Sequence, residues 1–128
     1  MPRITVLYAA PLIALFLVLT FRVMALRFPQ QIMIGTGGDR RLERAARVHA
    51  NFAEYVPLFL VALMAAELCG AAPWALHACG AAMLLGRIGH AAGVSRDPDI
   101  VALRGLGMLL TIGALIAAPA FALRAAFG

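Results

Sequence analysis

The residues best suited to chemistry form a polar stripe along one helix-like segment. Arg47, Asn51 and Glu54 lie at i, i+4 and i+7, a spacing that places three side chains on one face of an α-helix. Arg87 and His90 follow at i and i+3, which is again a single helical face. Because guanidinium groups bind carboxylates with two parallel hydrogen bonds, a site that combines these residues suits an anionic ligand.

The two polar faces can be matched by depth. A short hairpin near residues 71 and 72 joins the segments, so both helices are counted outward from it as an antiparallel pair. On that count Glu54 and Arg87 differ by two residues, or roughly 3 Å along the helix axis. Asn51 and His90 differ by the same amount. We therefore predict an ion pair between Glu54 and Arg87, with Asn51 and His90 as neighbours, in a polar ladder that opens to the cytoplasm.

Two interpretations of this ladder stay open. A buried salt bridge with polar contacts fixes the register of two helices, and for Glu54 and Arg87 alone that structural role is as well supported as a functional one. Five polar groups at one depth exceed what packing requires, and charged groups inside a membrane mark functional sites. For the whole set the sequence favours a ligand site.

Arg104 is the remaining charge of interest, because it lies about two turns into the fourth predicted helix. It either extends to the lipid headgroups as an anchor or lies beside the polar ladder. His49 lies about 200° around the helix from Arg47 and faces elsewhere, toward another helix or another subunit. His77 belongs near the opposite membrane surface, so it is too far from His49 and Glu54 for a shared metal site. We predict no metal.

The elements that must position these residues are apolar helices. The chain has 128 residues, of which 63% are hydrophobic and only 13% charged, too few charges to cover a soluble domain of this size. This composition excludes an ordinary soluble enzyme, a disordered tail and a disulfide-stapled mini-protein. Four apolar runs of about 20 residues predict an all-α integral membrane four-helix bundle. The bundle forms one domain over residues 1–128, with spans at about 4–26, 48–68, 74–92 and 105–123.

Local signals predict the helix ends. Asp39 is a candidate N-cap for a second helix that runs from about Arg40 to Leu68. A fourth helix is expected to start with Asp97 as its N-cap and Pro98 in its first helical position.

Small residues and cysteines carry weaker signals. A spacing of four relates Ala78, Ala82 and Gly86, then Gly89 and Gly93, and on the fourth helix Ala114, Ala118 and Ala122. Such faces permit close helix packing, within one chain or between subunits. Cys69 and Cys79 differ in depth by several residues, so we expect free, buried thiols.

Arginine placement predicts the orientation. The chain has eleven arginines, no lysine and a net charge of +5. Nine of these arginines lie in the 1–2 and 3–4 loops or at the adjoining helix ends, and only Arg3 and Arg124 lie on the other side. By the positive-inside bias, the arginine-rich loops face the cytoplasm and both termini face away from it. The same bias accounts for the basic charge without nucleic-acid binding.

The signature of a known family resembles part of this sequence. The MAPEG family (membrane-associated proteins in eicosanoid and glutathione metabolism) has Arg, then Asn four residues later, then Glu three residues after that, often followed by Tyr and Pro. The stretch that resembles this pattern is Arg47-Val-His-Ala-Asn51-Phe-Ala-Glu54-Tyr55-Val-Pro57. A third-helix motif of the family is similar to Gly86-Arg87-Ile-Gly-His90. Because chain length, four spans and a basic first loop agree as well, the resemblance covers nearly the whole chain and is nearest to the small bacterial inner-membrane members.

The resemblance implies a homotrimer of four-helix protomers, with glutathione bound as co-substrate between subunits near the cytoplasmic face. It implies eight residues that contact glutathione: Arg27, Arg47, His49, Asn51, Glu54, Tyr55, Arg87 and His90. It also implies that Arg104 is catalytic and stabilises the glutathione thiolate, since a thiol with a pKa of about 8.5 ionises more readily beside a guanidinium. The thiolate then attacks a lipophilic electrophile that arrives from the membrane lipid.

The chain departs from the family pattern at two points. Val94 stands where catalytic members commonly have Tyr, and the spacing of seventeen between Arg87 and Arg104 is slightly long. A non-catalytic member that binds a lipid or a protein partner is therefore the alternative to a glutathione-dependent transferase or peroxidase. A small transporter is a third interpretation. The sequence argues against it because a transporting Glu54 must be free, whereas Arg87 lies at its depth.

Overall fold

The apolar runs of the sequence fold into four helices joined by short loops. The computed structural model describes all 128 residues. Helix α1 spans Arg3–Arg27, α2 spans Arg40–Leu68, α3 spans Pro73–Val94 and α4 spans Val101–Phe127. A single turn of 3₁₀ helix at Phe28–Gln30 follows α1, and the structure has no strand. The all-α four-helix prediction is therefore confirmed.

Three of the helices, α1, α2 and α4, are long and apolar enough to cross a membrane by length and composition. Helix α3 is less apolar because it carries Arg87, His90 and His77. The first two of these are buried inside the bundle and are shielded from lipid, whereas His77 is exposed near the start of α3. The membrane passage of α3 stays a prediction.

The two predicted helix starts have different outcomes. Asp39 caps α2, since its carboxylate accepts hydrogen bonds from the backbone N–H groups of Arg41 at 2.7 Å and Leu42 at 3.3 Å. The prediction for α4 is wrong, because this helix begins at Val101 and has no side-chain cap. Its two nearby acids have other partners: Asp97 and Asp99 both form ion pairs with arginines. Because their carboxylates bind arginines, neither acid caps the N-terminus of α4.

Glu67 closes the end of the bundle that holds the chain termini. Its carboxylate accepts hydrogen bonds from the backbone N–H groups of Ile4 at 2.8 Å and Thr5 at 2.7 Å, and from the Thr5 hydroxyl at 2.7 Å. Helix α1 has no side-chain cap of its own, and the first N–H groups of any helix lack partners within that helix. A carboxylate at this position also complements the helix dipole, so Glu67 ties α1 to the end of α2.

Glycines bring α3 and α4 into backbone contact. A Cβ atom built on Gly86 would lie 2.8 Å from the carbonyl oxygen of Gly107, and one built on Gly93 would lie 2.6 Å from the backbone nitrogen of Arg104. A Cβ atom on Gly107 would lie 2.5 Å from the backbone nitrogen of His90. These three glycines therefore serve helix packing within the chain. Both cysteines are free, as predicted, but only Cys79 is buried; Cys69 is exposed because it lies just after the end of α2.

Substitution of Gly107 by Ala tests this contact. We expect Gly107→Ala to lower the free energy of unfolding by about 1–3 kcal/mol, because the added methyl group meets backbone atoms that cannot rotate away. Denaturant titration in detergent micelles measures the effect. The matched control is Gly113→Ala on the same helix, where a Cβ atom meets nothing within 4 Å. Equal losses in the two variants would contradict the packing argument.

Candidate functional site

Arg87 is the centre of a polar cluster that joins three helices. Its side chain is fully buried, with 0% exposure. The guanidinium donates to Asn51 Oδ1 on α2 at 2.7 Å and to Thr111 Oγ1 on α4 at 3.3 Å. It also lies 3.1 Å from Nδ1 of His90 on α3. One cation thus contacts all three helices, and the predicted proximity of Asn51 and His90 is confirmed through their shared partner.

No carboxylate accompanies this buried charge. The predicted ion pair between Glu54 and Arg87 is wrong, because Glu54 is exposed and neither residue belongs to any of the four ion pairs. The depth count gave height alone, whereas Glu54 lies about 60° around α2 from Asn51. The aromatic rings of Phe52 and Tyr55 lie 5.8 and 6.0 Å from the guanidinium carbon and stabilise the charge by cation–π contact. Glu54 is therefore free of Arg87, so the expectation of a paired Glu54, which counted against a small transporter, is wrong.

The contacts of Arg87 determine which hydrogen-bonding groups of its neighbours remain available to a ligand. A guanidinium only donates hydrogen bonds, so the oxygen of the Asn51 amide accepts and its NH₂ group stays available. The same reasoning makes His90 Nδ1 an acceptor and places the ring proton on Nε2. Thr111 donates its own proton to the Gly107 carbonyl at 2.8 Å. Asn51 and His90 are thereby left with donors to offer to a ligand.

A cavity of about 380 Å³ lies beside this cluster, at the arginine-rich end of the bundle. We call it the arginine pocket, and its lining residues are Arg40, Glu43, Arg44, Arg47, Asn51, His90, Val94, Asp99 and Arg104. Its volume is within the range of small-molecule sites. Four of the predicted site residues line it: Arg47, Asn51, His90 and Arg104.

The arginines of the pocket differ in how far acids already neutralise them. Arg44 pairs with Asp97 at 3.1 Å and also with Asp99, whose carboxylate holds Arg104 at 3.0 Å. The hydrogen bond from Arg44, followed by that from Arg104, keeps the pKa of the Asp99 carboxyl below its usual value. Arg47 belongs to none of the ion pairs and is exposed. It is therefore the cation most available to a ligand, whereas Arg104 is held at the rim of the pocket.

Four predicted site residues do not line the arginine pocket, besides the buried Arg87. Glu54 is exposed on α2, and Tyr55 lies against the buried guanidinium. His49 faces α1, where its Nε2 lies 3.1 Å from Thr20 Oγ1. The expectation that His49 meets another helix is thus confirmed. Arg27 donates to two backbone carbonyls of the loop after α1, at 3.2 and 3.4 Å.

Six residues outside the predicted set belong to the site: Arg40, Glu43, Arg44, Val94 and Asp99, which line the pocket, and Thr111, which binds Arg87. Thr111 is the one hydroxyl residue in the apolar run of α4 and lies at i+7 from Arg104, so the helical spacing that indicated Asn51 also indicates Thr111. Nothing in the local pattern of Asp99 indicates that two arginines bind it. Its partner Arg44 lies 55 residues away in the sequence.

Comparison with known proteins finds similar sequences. A match to the MAPEG family covers residues 5–124, a range that contains every residue of the arginine pocket. The chain is 36% identical over 87 residues to inner membrane protein YecN of Escherichia coli strain K12. It is equally similar to YecN of Escherichia coli O6:H1. Each of these matches covers 68% of this chain and spans 66% of the relative's length.

Replacement of Asn51 and of Glu54 on α2 tests the absence of the predicted ion pair. We expect Asn51→Ala to lower the free energy of unfolding by about 1–3 kcal/mol, because buried Arg87 loses its shortest hydrogen bond. Glu54→Gln is expected to change it by less than about 0.5 kcal/mol, as for surface substitutions. Denaturant titration in detergent compares the two variants. A larger loss for Glu54→Gln would restore the ion pair.

The lowered pKa of Asp99 predicts a pH dependence of stability. The unfolded chain takes up a proton near the usual value of 3.8, before the folded protein does. The stabilisation is therefore complete above that pH and is lost as the pH falls through the lower pKa of the folded state. Thermal unfolding between pH 3 and 6 should show this loss in the wild type and less of it in Asp99→Asn. Glu43→Gln removes an exposed carboxylate that forms no ion pair, and its profile should follow the wild type.

Proposed function

Because the chain belongs to the MAPEG family, we propose that it binds glutathione in the arginine pocket and activates the glutathione thiol for attack on a lipophilic electrophile. Such a protein is a glutathione-dependent transferase or peroxidase of the bacterial inner membrane. One observation carries the proposal: Arg87 binds the acceptor atoms of Asn51 and His90 and so leaves their donors available, in a pocket that also holds four arginines and two acids. This excess of cations and the available donors suit a ligand with several anionic groups.

Glutathione carries groups that match this pocket. It has two carboxylates, an ammonium group and a thiol. Arg47 forms no ion pair within the protomer and suits a carboxylate. The exposed carboxylate of Glu43 lines the same pocket without a partner and suits the ammonium group. The amide of Asn51 and the Nε2–H of His90 suit a second carboxylate.

The reactive step needs the thiol in its ionised form, because the thiolate is the nucleophile. Arg104 supports this step, since a guanidinium beside a thiol favours the thiolate. The thiol proton passes to solvent. The sulfur then forms a bond to the electrophilic carbon, and the leaving group, such as the chloride of a nitrochlorobenzene, departs to solvent with the electrons of the broken bond. The position of the pocket at the end of three potential membrane spans favours a substrate that partitions into lipid.

Glu54 supports the proposal that protomers associate. It is exposed on a single protomer although it lies within the apolar part of α2, where a lipid-facing carboxylate costs several kcal/mol. A neighbouring subunit that covers this face removes that cost. We take the number of three subunits from the family resemblance, and the inner-membrane location accords with the name of the two relatives.

Val94 favours a second candidate function, in which the protein binds its ligand without catalysis. Val94 is the one apolar residue that lines the arginine pocket, at a position where catalytic members commonly have Tyr. The pocket thus lacks a hydroxyl at that point. Glutathione binding without turnover of a model electrophile such as a nitrochlorobenzene would favour this second function over the first.

The first experiment is a titration of glutathione into detergent-purified protein, followed by the ultraviolet absorbance of the thiolate. The wild type is expected to give a thiolate signal at neutral pH. Arg104→Ala should reduce it by about tenfold, which corresponds to a change of about one unit in the pKa of the bound thiol. The matched control is Arg96→Ala, which removes an exposed arginine outside the pocket.

Calorimetry on the same samples separates binding from activation. Binding with no thiolate in the wild type would overturn the activation step and favour the second candidate. Absence of any binding would overturn both functions and leave the cluster around Arg87 as a packing device.

A further inference from the structure

A second cavity, of about 400 Å³, lies at the same end of the bundle between α1, the start of α2 and the 3–4 loop. We call it the Arg22 cavity. Six of its lining residues are Arg22, Ala25 and Leu26 of α1, Arg41 of α2, and Ser95 and Asp97 of the loop. None of these six residues lines the arginine pocket. The Arg22 cavity therefore lies apart from the proposed glutathione site, although Arg44 contributes to both.

The Arg22 cavity carries positive charge that no acid neutralises. Arg22 belongs to none of the ion pairs and donates a hydrogen bond to the hydroxyl of Ser95. Arg41 is exposed and forms no ion pair either. The single acid of the cavity, Asp97, already pairs with Arg44 at 3.1 Å and with Arg40 at 3.6 Å. Two guanidinium groups are thus available to an anion.

The same cavity continues into an apolar surface. Ala25 and Leu26 form its wall on the last turns of α1. Val18, Phe21, Arg22 and Ala25 follow one another at spacings of three, one and three residues and share one stripe of the helix. Val18 and Phe21 are each 62% exposed within a helix that is apolar enough to cross a membrane. The occupant that fits this surface has an anionic head and an apolar tail.

We propose that the Arg22 cavity holds the phosphate group of an anionic membrane phospholipid. Arg22 and Arg41 bind the phosphate oxygens, and an acyl chain lies along Val18 and Phe21. Basic pockets between membrane helices recognise acidic lipid headgroups in this way, because the guanidinium groups lie at headgroup depth. Inorganic phosphate shares the headgroup chemistry but gains nothing from the apolar stripe, which favours the lipid as the source.

Lipid titration into delipidated protein in detergent, followed by native mass spectrometry, tests the proposal. Phosphatidylglycerol is expected to bind at least about tenfold more tightly than zwitterionic phosphatidylcholine. Arg22→Gln should weaken phosphatidylglycerol binding by about fivefold, and the double variant with Arg41→Gln by about 25-fold, since each arginine near a membrane surface contributes about one such factor. Arg22→Lys keeps the charge and should retain most of the affinity.

The matched control is Arg96→Gln, which removes one positive charge from the same end but outside the Arg22 cavity. Its affinity for phosphatidylglycerol should stay within about twofold of the wild type. An equal loss in Arg96→Gln and Arg22→Gln would overturn the proposal, because net charge rather than the cavity would then attract the lipid. Inorganic phosphate that competes fully at concentrations equal to those of the lipid would overturn the lipid as the source.

Glutathione binding, measured on the same variants, separates this proposal from the preceding one. Arg22→Gln is expected to leave glutathione affinity unchanged, since Arg22 does not line the arginine pocket. Thermal unfolding of each variant shows that the fold is intact. Loss of lipid binding in a folded variant that still binds glutathione would support the lipid site, and retained lipid binding in the double variant would overturn it.

Discussion

The buried guanidinium of Arg87 is the interaction on which the rest of the site depends. Removal of such a charge from water costs several kcal/mol, and no carboxylate in the protomer offsets it. Hydrogen bonds to Asn51 and Thr111, contact with His90 and two aromatic rings stabilise it instead. Because these partners belong to α2, α3 and α4, a single charge constrains both the height and the rotation of three helices. A slip of α2 or α4 along α3 would remove at least one of these partners.

Residues without reactive groups make this arrangement possible. Thr111 reaches Arg87 because α4 lies in backbone contact with α3 at Gly86 and Gly107. The same close approach brings the backbone of Arg104 against Gly93, one turn beyond His90. Small side chains thus determine the distance between α3 and α4, and that distance determines which polar groups reach Arg87. Asn51 and His90 offer donors to the pocket because the guanidinium behind them binds their acceptor atoms.

The sequence predicts those features that regular helix geometry determines. The bounds of α2, the Asp39 cap and the nearness of Asn51 and His90 all follow from spacing along a helix, and all three agree with the structure. Errors arise where partners compete. Glu54 has the right depth for Arg87 but the wrong rotation, and Asp97 binds arginine rather than a helix end. The partner of a charged residue depends on which side chains the fold brings together, and the local sequence pattern does not determine that.

The two cavities at the arginine-rich end are best understood as one distribution of charge. Asp97 and Asp99 lie between the cavities and bind Arg44, which lines both. These acids offset the repulsion among arginines that the fold crowds together. They neutralise the centre of the cluster and leave its flanks positive, with Arg22 and Arg41 on one side and Arg47 on the other. A uniform basic surface would attract anions without distinguishing between them. The two separate surpluses differ in their surroundings, since one lies beside an apolar stripe and the other beside buried donors, and the two proposed ligands follow from this difference.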